Sequence, residues 1–137
     1  MPSRKRGGMT VAASDGGAQV PNDSVPHPRN YGTFPRKIGR YAIADKLIPV
    51  EHAIRSASGL PADVLKLSDR GYLKPGYCAD VVLFDPATYR DRATFDKPHA
   101  YATGVVYLWV NGKMAIEKGK YTNALGGRVL RHKDPAK

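Results

Sequence analysis

Residues 13–36 read ASDGGAQVPNDSVPHPRNYGTFPR, a stretch rich in Gly, Pro and Asn that contains acids, Asp15 among them, a histidine, His27, two arginines, Arg29 and Arg36, and Tyr31. These types have chemistry to offer. A carboxylate can carry a proton to and from a reacting atom, and a guanidinium grips a carboxylate with a rigid two-pronged fork that lysine cannot imitate. Each has an ordinary reading as well. Asp-Gly is a turn dipeptide, and an arginine on an exposed loop is commonly just solvated. His27, flanked by Pro26 and Pro28, reads as a residue that shapes the loop or supports other groups from behind, more than as a metal ligand. Tyr31, with Gly32, Thr33 and Phe34, is expected to set the turn into a helix and pack its start, and Arg36 to be a cation on that helix's face.

The elements that must position these residues are readable in outline. Residues 9–13, MTVAA, form a short β-branched and apolar run that suits a strand feeding the loop at Ser14-Asp15-Gly16-Gly17. Residues 16–33 predict an irregular loop, long enough to be functional or floppy. Thr33 as N-cap and Pro35 in the first turn predict a helix over 35–46. Pro49 then opens a second helix with Val50, Ala53, Ile54 and Ala57 on one face and Gly59 at its end, and Pro61 a short third one. Pro75-Gly76 predicts a type II turn before a strand over 79–84, and residues 85–103 are polar and irregular. GVVYLWV, Asn111-Gly112 and KMAIEKG make a hairpin with a type I′ turn. Two or three antiparallel strands are expected after the helices.

That hairpin is apolar on both sides. Val105, Tyr107 and Trp109 face one way, Val106, Leu108 and Val110 the other, and so few strands cannot cover both faces. The chain reads as part of a larger object.

Composition narrows the classes. The chain has 137 residues, 42% of them apolar, which suits one globular unit. The net charge of +10 is poorly focused: Arg4, Lys5 and Arg6 form one run, while Arg128, Arg131, Lys133 and Lys137 are spread along the end. Solvated tails and faces account for it better than a nucleic-acid surface. Cys78 is the only cysteine and reads as a buried structural thiol, so no internal disulfide forms and a reducing compartment is expected. No apolar run approaches the ~20 residues that span a bilayer, and the start lacks the apolar centre of a secretory signal. A cytoplasmic protein with neither nucleic-acid nor membrane partners is the expectation, with residues 1–8 as a mobile terminus.

Taken in order, SDG after a short strand, HPRNYGTFPR, a helix, GYLKPGYCADVVLFDPATYRDRATFDKPHAY, GVVYLWVNGK and GRVLR closely resemble the C-terminal part of D-aminoacylases, the N-acyl-D-amino-acid deacylases of the amidohydrolase superfamily. The resemblance covers about residues 9–131. It implies a metal-dependent (β/α)8 barrel with a small β-rich domain, and hydrolysis of an N-acyl-D-amino acid to a carboxylate and the free D-amino acid. A barrel needs roughly 200 to 250 residues, so the expected fold is α+β and incomplete without the upstream barrel. Residues 9–67 would be the last barrel strand and closing helices, and residues 68–137 the C-terminal strands of a small β-sandwich-like domain.

The resemblance also assigns roles. Asp15 matches the catalytic aspartate of the SDG motif, placed to take a proton from the attacking water and return it to the leaving nitrogen. Arg29 matches the arginine of the HPR motif and would hold the substrate's α-carboxylate. The family's zinc-binding histidines and cysteine lie upstream. The four histidines here, His27, His52, His99 and His132, are scattered, with no His-x-His or HExxH, so no zinc is expected on this chain alone. The leading expectation is an inactive C-terminal fragment of such a hydrolase. Half of a split enzyme with a complementing barrel chain, or a non-catalytic interaction module that associates, with itself or another protein, through the apolar hairpin, stand as alternatives.

Overall fold

The computed structural model describes residues 10–17 and 20–130. The expected mobile segment 1–8 lies outside them. Three short helices precede a small sheet. α1 spans Arg29–Pro35 and runs without a break into a π-helical segment, Arg36–Ala44. Pro35 has no N–H and cannot continue the α-helical ladder. Beyond it the chain winds more loosely, and at its end the Asp45 N–H donates to the Arg40 carbonyl at 2.8 Å, five residues back.

The helix thus starts earlier than the Thr33 signal predicts. Thr33 is inside it, and its hydroxyl donates to the Arg29 carbonyl at 2.9 Å. A ring nitrogen outside the helix receives its first N–H, and the HPR motif becomes a helix start.

α2, Val50–Ala57, follows Pro49 as predicted, with Glu51 in its first turn and Arg55 in its last, both favourable to the helix dipole. Gly59 does not end it in a left-handed turn. It opens α3, Gly59–Val64, after a kink at Ser58. A Cβ at position 59 would sit 2.7 Å from the Tyr72 ring, so this glycine serves a close approach. The strand expected over 9–13 is not formed among the described residues 10–13. The Ala12 N–H donates at 2.8 Å to the Ser56 carbonyl in the last turn of α2, one of the carbonyls a helix end leaves open. With a helix end as its partner, the segment has no ladder to join.

The sheet is β1 (Val81–Phe84), β2 (Val105–Val110), β3 (Lys113–Glu117) and β4 (Lys120–Tyr121), antiparallel and ordered β1-β2-β3-β4. Gly76 has φ 82° and the Tyr77 N–H donates to the Lys74 carbonyl at 3.1 Å, as the Pro75-Gly76 turn requires. Asn111 and Gly112 both have positive φ, 50° and 76°, and close the predicted hairpin. Lys118 and Gly119 repeat that geometry at 48° and 77° and add β4, which Lys, a poor left-handed residue, did not announce.

Where helices and sheet meet, Ile38, Ala42, Ala53 and Tyr89 are buried, with Phe84 and Val105 packed against them. The Phe84 and Tyr89 rings lie 4.6 Å apart, and burial raises the Tyr89 phenol pKa. The core is thin. Apart from Ile38, Leu60 and Tyr89, its buried apolar residues are alanines, while Val82 and Leu83 of β1 remain 49% and 52% exposed. Across the strands Val82, Leu108 and Ile116 align, and Val81 and Leu83 oppose Trp109 and Tyr107. Apolar side chains stand on both faces of one layer, as the sequence pattern demanded.

Candidate active site

The loop that follows residues 10–13 folds back onto the start of α1. Asp15 takes the left-handed conformation, φ 49°, and Gly16 lies so close to Asn30 that a Cβ there would be 2.7 Å from Oδ1. This approach brings the two candidate residues together. The Arg29 guanidinium nitrogen Nη2 lies 3.2 Å from Asp15 Oδ2, with side chains 45% and 88% exposed.

The ion pair does not hold the loop by itself. Bringing the ends of a loop of this length together costs about 2 kcal/mol beyond a constant, while exposed ion pairs contribute about 0–1 kcal/mol. Other anchors carry the geometry. His27 Nδ1 accepts the Arg29 backbone N–H at 3.0 Å, standing in for the side-chain cap that Pro28 cannot provide. The His27 ring also meets Phe95 edge-on, 5.0 Å between centroids.

Tyr31, expected in the turn, lies within α1. Its hydroxyl is 2.8 Å from His99 Nδ1, and His99 Nε2 is 2.8 Å from the Ser24 carbonyl. The Tyr31 ring stands edge-on to both His99 and Tyr101. Arg36 is more than a solvated cation. Its Nε donates to Asp91 Oδ2 at 2.7 Å, and its Nη2 lies 2.6 Å from the same oxygen. That hydrogen bond raises the Arg36 pKa. Gly32 admits the contact, since a Cβ there would already touch Asp91 Cβ at 3.2 Å. A cleft of about 340 Å³ remains between these groups, lined by His27, Arg29, Thr33, Arg36, Asp91 and Phe95 among others.

Asp91, Phe95 and His99 all come from residues 85–103, whose sequence is polar and irregular. It has no period to betray a role, although long structureless connections in compact domains are commonly functional. The remaining candidates stay apart. His52 is exposed on α2, His132 lies outside the described residues, and the half-buried Cys78 directs its thiol at Asp69 Oδ2, 3.3 Å away. Among the described residues no three His, Cys, Asp or Glu side chains converge on a point where a metal ion would sit. Asp15 faces a guanidinium, which is no part of a metal's donor set.

The chain that carries this exposed Asp-Arg pair and the small antiparallel sheet after it falls in a known class. A profile of the amidohydrolase family matches residues 3–116, and the chain belongs to that family. Within it, the chain is 45% identical over 123 residues to the D-aminoacylase of Alcaligenes xylosoxydans xylosoxydans, covering 90% of this chain and 25% of that one. A solved D-aminoacylase superposes with a TM-score of 0.74 at 45% identity, over 77% of this chain and 22% of the other. The N-acyl-D-glutamate deacylase of Bordetella bronchiseptica, solved with zinc and a phosphonate that mimics the tetrahedral intermediate, gives 0.70 at 40% identity, over 85% and 25%. The chain therefore spans about a quarter of the length of the curated relatives it matches.

Proposed function

We propose that this chain contributes the proton-transfer and carboxylate-binding half of an N-acyl-D-amino-acid deacylase site. Residues 9–67 would act as the end of a (β/α)8 barrel and residues 68–137 as part of a small β domain. The observation that carries this reading is the Asp15–Arg29 pair at 3.2 Å, formed across a long loop by the two residues best suited to the reaction.

Arg29 binds the α-carboxylate of the N-acyl amino acid through its fork. That carboxylate competes with Asp15 for the same guanidinium, so substrate binding frees Asp15. The freed carboxylate takes a proton from the attacking water and delivers it to the nitrogen as the C–N bond breaks. Zinc, present in the Bordetella relative, supplies a polarised carbonyl or an acidified water in such sites when bound. The described residues offer it no ligand set, so what this chain itself supplies is a proton carrier and an anion clamp.

The two apolar faces of the sheet support a second element of the reading, that the chain works against a covering partner, of which a complementing barrel chain is the first candidate. Calorimetric titration of the 137-residue chain with N-acetyl-D-leucine and with its carboxamide tests the site. The acid should bind, the amide should not, and Arg29→Met should weaken binding of the acid about tenfold or more. Equal binding of acid and amide overturns the assignment of Arg29.

A further inference from the structure

We propose that His99 is a positioning residue for the Asp15–Arg29 pair. The inference rests on the deacylase reading of that pair and adds a residue to it.

The imidazole bridges two parts of the molecule that flank the pair. The Ser24 carbonyl can only accept, so His99 Nε2 carries the proton. Nδ1 of the neutral ring is then an acceptor, and the Tyr31 hydroxyl donates to it. One ring thus ties the loop between Asp15 and Arg29 to the helix that bears Arg29. It does so from 68 residues beyond Tyr31 and 75 beyond Ser24 in sequence.

Among the described residues the loop has little else to fix it at that point. Ser24 is turned locally by Asn22, whose Oδ1 accepts from its N–H at 2.9 Å and its hydroxyl at 2.6 Å, but that turn shapes the loop without attaching it. The same distal segment adds Phe95 against His27 and Asp91 against Arg36. Residues 90–101 therefore form a strap against the site, and His99 touches both the loop and α1. The hydrogen bonds of the half-buried ring go to Tyr31 and Ser24, which is why we assign it placement and not chemistry.

Glutamine makes the idea testable, because its side-chain amide also offers one donor and one acceptor on a planar head. In the full 137-residue chain, His99→Leu should speed hydrogen exchange at the Arg29 amide about tenfold and weaken N-acetyl-D-leucine binding by about the same factor. His99→Gln should bring both back to within about threefold of wild type. The ¹⁵N spectrum of the wild-type ring should report the neutral Nε2–H tautomer. If His99→Leu lowers the unfolding midpoint, Tyr31→Phe, which deletes one oxygen and keeps the ring, should still accelerate exchange at Arg29. Unchanged exchange in His99→Leu, no rescue by glutamine, or an Nδ1–H tautomer would each overturn the proposal. Should the wild type not bind N-acetyl-D-leucine at all, the deacylase reading falls, and His99 is judged on exchange and tautomer alone.

Discussion

Two arginine–aspartate pairs in this chain use the same groups to opposite ends. Arg29 and Asp15 meet in the open, with side chains 45% and 88% exposed. Arg70 and Asp80 meet with side chains 8% and 34% exposed, and the Arg70 guanidinium also donates to Asn111 Oδ1 at 2.6 Å. Asn111 in turn donates its backbone N–H to Asp80 at 2.7 Å and its amide to the Gly126 carbonyl at 2.6 Å. The second group locks the hairpin turn to the segment before β1, so neither partner can leave without exposing the other's unmet demand. The first pair costs little to open, and that is what a site that must admit a competing carboxylate requires.

The contrast can be broken most sharply at Arg70. Arg70→Met should lower the unfolding free energy by about 3 kcal/mol, because Asp80 and Asn111 lose their shared donor, as read from urea denaturation. Asn111→Ala should cost about 1–2 kcal/mol, part from the left-handed turn position and part from two lost side-chain bonds. The smallest effect belongs to the open pair. Asp15→Asn should change stability by less than about 0.5 kcal/mol while raising the affinity of Arg29 for acetate about two- to fivefold, seen by NMR titration. A loss of affinity in that variant would show that Asp15 supports Arg29 instead of competing with it.

The sequence announced whatever is decided by neighbours along the chain. Asn111-Gly112 and Pro75-Gly76 dictate their turns through allowed φ alone, and the start of α2 follows from Pro49 and the spacing of Val50, Ala53 and Ile54. The unmet apolar faces were visible for the same reason, since alternation in β2 is a local property. What stayed hidden depends on partners far off in sequence. α1 begins at Arg29 because a ring at position 27 caps it, against a competing signal at Thr33. Residues 10–13 are not a strand because they bond to a helix end. Asp91, Phe95 and His99 matter through contacts that no periodicity encodes, so half of the surroundings of Asp15 and Arg29 was illegible beforehand.

Gly39 extends that dependence into heredity. A Cβ at position 39 would lie 2.1 Å from the Tyr89 carbonyl oxygen, so the π-helical segment rests backbone to backbone on the residue that leads into the strap. Every mutation of this codon that changes the residue adds at least one carbon there, and the strap with its Asp91, Phe95 and His99 must shift to make room. A lineage carrying this fold has no neutral step away from glycine at a position that touches neither Asp15 nor Arg29. Selection for the site would be written at a residue that takes no part in its chemistry.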